Sequence, residues 1–245
     1  HTARVDFVTK VDWHEKKPLL KVAFPVSVRS QKATYEIQFS AIERSTHGNT
    51  DWDRARFEVT GHKWADLSEG DFGVSLLNDC KYGYDVRGNV LRLSLLRSPI
   101  SPDPHADEGE HEFIYAILPH AGTWRTETVK EAFELNVPLR SSLVANHGGG
   151  SLPNVYAFAF VDVDHVILNT VKRCEDSDEI VVRLYEAHGT RGPVTVTFAN
   201  PIKRAVECDL MEENEQPVEW NKYSIRFYAK PFEIRTFKVA FESLY

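Results

Sequence analysis

The stretch that decides the fold class is Arg87-Gly-Asn-Val-Leu-Arg-Leu-Ser-Leu-Leu96. Leu91, Leu93 and Leu95 alternate with polar residues, which places the three side chains on one face of a strand. The Gly-Asn pair before them has the residue types that tight hairpin turns prefer, since both tolerate left-handed backbone conformations. The stretch therefore predicts an antiparallel strand with one buried face.

The same alternation of apolar and polar residues recurs along the whole chain, so the sequence predicts a mainly β protein. Its further examples are Tyr35, Ile37 and Phe39; Phe113, Tyr115 and Ile117; Ile180, Val182 and Leu184; Val194, Val196 and Phe198; and Phe237, Val239 and Phe241. Turn residues at Lys16-Lys-Pro18 and Gly189-Thr-Arg-Gly-Pro193 indicate antiparallel hairpins. Residues 128–135 are the exception, because their apolar residues recur at helical spacing.

The boundary between two domains is predicted at Asn146-His-Gly-Gly-Gly-Ser-Leu-Pro153, where three glycines and a proline interrupt the strands. We therefore predict a large antiparallel β-sandwich region over residues 1–145 and a linker over 146–153. Residues 154–245 have about the length of one small β-sandwich.

Composition excludes several partners. The net charge of −7 is shared by two mildly acidic halves, which argues against a nucleic-acid partner. No apolar stretch approaches the roughly 18 to 20 residues that span a bilayer, so no membrane partner is expected. The three cysteines, Cys80, Cys174 and Cys208, are far apart and odd in number, which indicates a reducing compartment rather than a disulfide framework.

The best candidate for a ligand-facing loop is Asn78-Asp-Cys-Lys-Tyr-Gly-Tyr-Asp85. Sugars stack their apolar faces on aromatic rings, while amides and carboxylates bind their hydroxyls. Tyr82 and Tyr84 offer the rings, and Asn78 and Asp79 offer the polar groups. The structural alternative is a hairpin whose tyrosines cover the edge of a core.

The acidic and histidine-rich run Asp103–Glu112 has ligand types that suit a metal, but its spacing matches no established metal site. We interpret it as a solvated connection and assign no metal to it. Paired carboxylates are what glycoside hydrolysis requires. The sequence offers many pairs and selects none of them; the candidates are Asp66, Asp79, Asp85, Asp103 and Asp107.

Several long stretches stand out in order along the chain. They are Arg44-Ser-Thr-His-Gly-Asn-Thr-Asp-Trp-Asp53, Trp64-Ala-Asp-Leu-Ser-Glu-Gly-Asp-Phe-Gly-Val-Ser-Leu-Leu-Asn-Asp-Cys-Lys-Tyr-Gly-Tyr-Asp-Val-Arg-Gly-Asn89, Leu118-Pro-His-Ala-Gly122, Val171-Lys-Arg-Cys-Glu-Asp176, Arg183-Leu-Tyr-Glu186 and Glu207-Cys-Asp-Leu-Met-Glu212. In this order they resemble the C-terminal half of the α-mannosidases of glycoside hydrolase family 38, in the subgroup of fungal vacuolar and many bacterial enzymes.

The resemblance implies a large, mutarotase-like antiparallel region followed by a small sandwich. It also implies that the chain is a fragment, because the family carries its zinc ligands and aspartate nucleophile on an N-terminal catalytic domain. The parent would be a retaining, metal-dependent exo-α-mannosidase that uses zinc or a similar divalent metal. For this chain alone, the resemblance implies no catalytic residue, no cofactor and no hydrolysis.

The partners that the resemblance implies are α-mannoside glycans and the missing N-terminal catalytic domain; association into a homo-oligomer is left open. The expected location is cytoplasmic, with a vacuolar location as the alternative. Other branches of the family place a pocket-lining arginine at the end of a strand, before an aspartate-containing loop. Arg97 matches that position, although the double arginine and double aspartate of the pattern are absent.

Two other classes of function remain open. A free-standing carbohydrate-binding module would require a complete aromatic platform. A mutarotase-like sugar enzyme would require a histidine and a carboxylate that converge in a cleft. His47, His62 and His120 are available for that role, but no spacing recommends any of them.

Overall fold

Antiparallel strands make up most of the computed structural model, which describes residues 2–145, 148–150 and 153–242. Strands account for 49% and helices for 6%, so the predicted mainly β class with sandwich domains is confirmed. The chain divides into an N-terminal unit, residues 1–140, and a C-terminal unit, residues 141–245. Residues 146, 147, 151 and 152 of the predicted linker lie outside the described residues, and the predicted domain bounds stay predictions.

The N-terminal unit contains ten strands and two helices among the described residues. They are β1 (Val5–Trp13), β2 (Leu20–Pro25), β3 (Lys32–Ile37), β4 (Ser40–Ser45), α1 (Asp51–Ala55), β5 (Val59–Thr60), β6 (Trp64–Ser68), β7 (Phe72–Asn78), β8 (Gly83–Arg87), β9 (Val90–Leu96), β10 (Gly109–Ala121) and α2 (Thr128–Asn136).

Two antiparallel sheets form the N-terminal unit. One has the order β1-β10-β7-β6-β3-β4, and the other has the order β2-β9-β8-β5. Apolar side chains from both sheets share one core, in which Tyr35, Leu76 and Leu93 are buried. Burying such side chains stabilises the fold by about 1.5 to 3 kcal/mol each relative to exposure.

The hairpin predicted from the opening stretch is present. β8 pairs with β9 through a two-residue turn, and Gly88 has φ = +58°. Leu91, Leu93 and Leu95 are buried, whereas Arg92 and Ser94 are partly exposed. The alternation therefore reported the buried face of this strand correctly.

The C-terminal unit contains nine strands among the described residues. They are β11 (Ala159–Val161), β12 (Val166–Arg173), β13 (Ile180–Glu186), β14 (Gly192–Phe198), β15 (Ile202–Cys208), β16 (Gln216–Pro217), β17 (Glu219–Trp220), β18 (Ser224–Ala229) and β19 (Ile234–Phe241). They form one sheet of order β11-β14-β18-β17 and another of order β12-β13-β19-β15-β16. Val182, Val196 and Phe237 are buried in a second core.

Two details differ from the sequence pattern or refine it. The helix predicted over residues 128–135 is present as α2, one residue longer. β10 begins at Gly109, before the apolar alternation from Phe113, because its polar start pairs with β1. Lys10 lies opposite Glu112, with 3.2 Å between its Nζ and Oε1 of Glu112. Among the described residues, no helix is long and apolar enough to cross a membrane.

Candidate functional site

The predicted ligand-facing loop connects the two sheets of the N-terminal unit. Asn78 ends β7 in the six-stranded sheet, and Gly83 begins β8 in the four-stranded sheet. The four residues between them therefore cross from one layer to the other. Because the loop crosses between the layers at the ends of these strands, its side chains divide between the interior and the surface.

Asn78 and Tyr84 lie in the interior, with exposed fractions of 1% and 0%. The Asn78 amide donates to the His62 carbonyl over 2.9 Å and its Oδ1 accepts from the Cys80 amide over 2.9 Å. The Tyr84 hydroxyl donates to the same carbonyl over 3.0 Å, and burial raises the pKa of this phenol. These two side chains hold the loop in place.

Asp79 and Tyr82 line a small polar pocket of about 280 Å³ together with His62 and Asn136. The Ile114 amide donates to Oδ2 of Asp79 over 3.0 Å, while the buried Oδ1 has no hydrogen-bond partner among the described residues. Tyr82 is 59% exposed, and the edge of its ring contacts His62 at a centroid distance of 5.4 Å. Of the two tyrosines in the loop, Tyr82 is therefore the one that a ligand can reach.

Arg97 lies in a different and larger groove, with a cavity volume of about 970 Å³. Its amide donates to Oδ2 of Asp107 over 3.0 Å, and its exposed guanidinium has no ion pair among the described residues. The structure thus separates Arg97 from the pocket of Asp79 and Tyr82. Polar residues of the Arg97 groove include Lys17, Glu58, Lys81, Ser94, Asp107 and His111.

A charged cluster on the four-stranded sheet adjoins the Arg97 groove, and Glu58 belongs to both. Nζ of Lys21 lies 2.8 Å from Oε2 of Glu58 and also contacts Asp85. Oδ1 of Asp85 in turn lies 2.6 Å from Nη1 of Arg92. A Cβ at Gly83 would lie 2.6 Å from Oε1 of Glu58, so a larger residue at this position would displace the Glu58 carboxylate.

The sequence patterns missed Lys17, Glu58 and Lys81 as neighbours of Arg97. β2 brings the Lys17 segment to the end of β9, and the Lys17 amide donates to the Ser98 carbonyl over 2.8 Å. Pairing of β5 with β8, which is also the hairpin partner of β9, brings in Glu58. No spacing in the sequence reports the pairing of β2 with β9 or of β5 with β8, because each joins residues that are distant along the chain.

The first part of the acidic run Asp103–Glu112 forms a tight local connection, whereas Gly109–Glu112 belong to β10. Nδ1 of His105 lies 2.9 Å from Oε2 of Glu108, and Nε2 of His111 lies 2.9 Å from the Asp107 carbonyl. Hydrogen bonds from the amides of Arg97 and Ser98 lower the pKa of Asp107. In the described part of the chain, no group of three or more His, Cys, Asp or Glu side chains is placed to hold a metal ion.

His120 and Asp66 form a buried pair in the six-stranded sheet, with side chains 0% and 1% exposed. Nε2 of His120 lies 2.8 Å from Oδ2 of Asp66, and Nδ1 lies 3.4 Å from the Ala121 carbonyl. Burial lowers the pKa of His120, but the hydrogen bond and charge of Asp66 outweigh it, so the pKa is raised. A sugar could reach this pair only after displacing the side chains that cover it.

This pair predicts a pH-dependent stability. The imidazolium holds its proton in the folded state above pH 6.5, where the unfolded histidine releases it. Its contribution is therefore full below 6.5 and is lost as the pH rises through the raised folded pKa. We expect urea unfolding between about pH 5.5 and 8.5 to show a steeper loss of stability in the parent chain than in a His120→Gln variant. His14→Gln, which changes an exposed histidine, is the control. If the free energy of unfolding depends on pH equally in the unsubstituted chain and in the His120→Gln variant, the assignment is wrong.

The fold defines the chain as an antiparallel protein of two β units with sandwich domains. The chain belongs to glycosyl hydrolase family 38, as part of its C-terminal region. Residues 1–105 match the model of the glycosyl hydrolases family 38 C-terminal domain. Residues 165–237 match the model of the family 38 C-terminal β-sandwich domain. The resemblance to the C-terminal region of this family, which the sequence indicated, is therefore confirmed.

Similar proteins are α-mannosidases. The chain is 44% identical to alpha-mannosidase 2C1 of Mus musculus, over 98% of its own length and 23% of that protein. It is 45% identical to alpha-mannosidase G of Dictyostelium discoideum, over 97% of its own length and 22% of that protein. A crystal structure of an alpha-mannosidase from Enterococcus faecalis V583 shares the fold, with a TM-score of 0.83 and 20% identity over 98% of this chain and 27% of that one. The chain thus spans under a quarter of these two curated relatives.

Proposed function

We propose that the chain is the non-catalytic C-terminal β region of a retaining, metal-dependent exo-α-mannosidase that hydrolyses terminal α-mannosides. The observation that carries this proposal is the 44% identity over 98% of the chain to a protein named as an α-mannosidase. The chain acts as a scaffold, and the Arg97 groove forms part of the rim of the active site.

Of the two roles that a retaining glycosidase needs, that of the acid does not suit the carboxylates of the Arg97 groove. Glu58 is held by Nζ of Lys21 at 2.8 Å and by the Ser94 hydroxyl. Asp107 accepts two backbone amides at 3.0 Å, which lower its pKa and keep it ionised near neutral pH. An ionised carboxylate cannot serve as the acid that protonates a leaving group.

The chemistry of the reaction is proposed to lie outside these 245 residues. When bound in the catalytic domain of the parent protein, a divalent metal such as zinc would hold sugar hydroxyls in place. The chain itself would contribute Arg97 and the exposed Tyr82 as contacts to the glycan. We further propose a cytoplasmic location, with a vacuolar one as the alternative.

Replacing Arg97 or Tyr82 by alanine in the full-length enzyme is expected to lower kcat/KM by a factor that corresponds to about 1 to 3 kcal/mol. The physical reason is the loss of a hydrogen bond or a ring contact to the sugar. Arg191→Ala and Tyr228→Ala serve as matched controls, because both side chains are exposed on the C-terminal unit. Equal kcat/KM with a lowered Tm for the Tyr82 variant would show a structural loop and overturn the rim assignment.

The isolated chain is expected not to hydrolyse an aryl α-mannoside, with or without added divalent metal. A retaining glycosidase needs a nucleophile and an acid/base, and this chain is proposed to supply neither. Turnover that co-purifies with the chain and is lost on heating would contradict the scaffold role. Tight binding of α-mannoside glycans by the isolated chain would instead favour a carbohydrate-binding module.

A further inference from the structure

We propose that the Arg97 groove binds an anionic group, and that its ligand is a mannoside bearing a phosphate ester. The mannoside part rests on the proposed function, whereas the anion part rests on the charges of the groove alone. The chain as a whole has a net charge of −7, so a cationic groove is a local feature and not a property of the whole surface.

Three cations of the groove have no ion pair among the described residues: Lys17, Lys81 and Arg97. Nζ of Lys81 lies 4.4 Å from the centroid of the Phe113 ring, a contact that orients the ammonium without neutralising it. The backbone of Lys17 is fixed by the hydrogen bond of its amide to the Ser98 carbonyl. Within the described part of the chain, none of the three charges is therefore taken up by a salt bridge. Backbone hydrogen bonds lower the pKa of Asp107, and of the three charges that of Lys81 is close enough to lower it further.

The acidic residues of the groove offset only part of this charge. Glu58 is already paired with Lys21 at 2.8 Å. Asp107 contributes one negative charge, and its Oδ2 accepts amides at 3.0 Å rather than a cation. Three free cations against one unpaired carboxylate leave a surplus of two positive charges.

A phosphate monoester matches that surplus, because it carries a charge of about −1.5 to −2 at neutral pH. The guanidinium of Arg97 suits two phosphate oxygens at once, while lysines act as point charges for the third. Apolar side chains complete the groove for a sugar ring. Phe57, Leu19 and Ile100 line it and are 72%, 49% and 44% exposed.

Binding of mannose 6-phosphate, mannose and inorganic phosphate to the 245-residue chain tests the proposal, by calorimetry or by amide shifts in NMR spectra. We expect mannose 6-phosphate to bind at least about tenfold more tightly than either other probe, and its affinity to fall with salt. Arg97→Ala and Lys81→Met should each weaken it by about tenfold. Arg191→Ala and Lys203→Met, which change exposed cations of the C-terminal unit, should leave it unchanged.

Equal affinity for mannose and mannose 6-phosphate would overturn the anion site. Equal affinity for inorganic phosphate and mannose 6-phosphate would show a site for free phosphate and overturn the sugar part. Absence of binding, or losses in the two controls equal to those of the groove variants, would overturn the proposal as a whole. These readouts measure binding, so a full-length protein that fails to hydrolyse α-mannosides would contradict the proposed function and leave the anion site standing.

Discussion

Replacing Asp66 by alanine is expected to lower the free energy of unfolding of the N-terminal unit by about 3 to 5 kcal/mol. Oδ2 of Asp66 accepts from Nε2 of His120 and from the Ser75 hydroxyl, each over 2.8 Å, and Oδ1 accepts from the Ser68 hydroxyl. Removing the carboxylate leaves a fully buried imidazole and two hydroxyls without their shared acceptor. Unpaired buried groups of this kind carry their full desolvation penalty.

The chain offers a matched control on its surface. Oδ1 of Asp12 lies 2.8 Å from Nε2 of His14, the same separation as in the buried pair, but both side chains are about two-thirds exposed, at 66% and 68%. Asp12→Ala is therefore expected to change stability by only about 0 to 1 kcal/mol. Urea unfolding followed by tryptophan fluorescence suits the comparison, because Trp64 and Trp124 stack at 5.0 Å in the same unit. If Asp66→Ala and Asp12→Ala lower the free energy of unfolding by similar amounts, burial does not strengthen the contribution of the Asp66 pair.

Much of the fold was predictable because alternation reports the local burial of a strand directly. The hairpin at Gly88, the buried face of β9 and the helix α2 all follow from neighbouring residues. The order of the strands does not, since β10 pairs with β1 across about a hundred residues. A pairing between strands so far apart in the sequence depends on which buried faces pack together in the core. The local spacing of residues does not indicate it.

The candidate site was less predictable for the same reason. Composition identified the loop that starts at Asn78, but not that Asn78 and Tyr84 point into the interior while Tyr82 points outward. Arg97 was assigned from the resemblance to the family and not from its spacing, and the structure gives it a groove separate from the pocket of this loop. Whether these five residues contact a ligand stays a prediction, and only Tyr82 and Arg97 present side chains that are exposed to one.

In the C-terminal unit, the largest single effect is expected at Glu186, whose side chain joins two loops. Glu186 is 1% exposed at the end of β13. Its carboxylate accepts from the amides of His188 and Gly189 and from the Thr190 hydroxyl, over 2.8 to 2.9 Å. It also accepts from the Phe232 amide of a second loop, over 2.9 Å. A single buried acceptor therefore satisfies four donors.

Glu186→Ala is expected to destabilise the C-terminal unit by about 3 to 5 kcal/mol, since each buried donor that loses its acceptor costs about 1 to 3 kcal/mol and the losses are not additive. Burial raises the pKa of Glu186, but the hydrogen bonds outweigh it and lower the pKa below the unfolded value of 4.5. The stabilisation is therefore present above pH 4.5 and is lost as the pH falls through the lowered folded pKa.

Hydrogen exchange at the amides of His188, Gly189 and Phe232 measures this clamp directly, because those three amides donate to it. We expect Glu186→Ala to accelerate their exchange together and Glu186→Gln, which keeps one acceptor oxygen, to have an intermediate effect. Glu219→Ala is the control. The Glu219 side chain is 73% exposed, and its single ion pair among the described residues is a long one, with 3.8 Å between Oε1 of Glu219 and Nη1 of Arg226. If Glu186 couples the two loops, the amides of both loops should exchange faster together in the Glu186→Ala variant. Faster exchange at His188 and Gly189 with an unchanged rate at Phe232 would show that the loops are held independently.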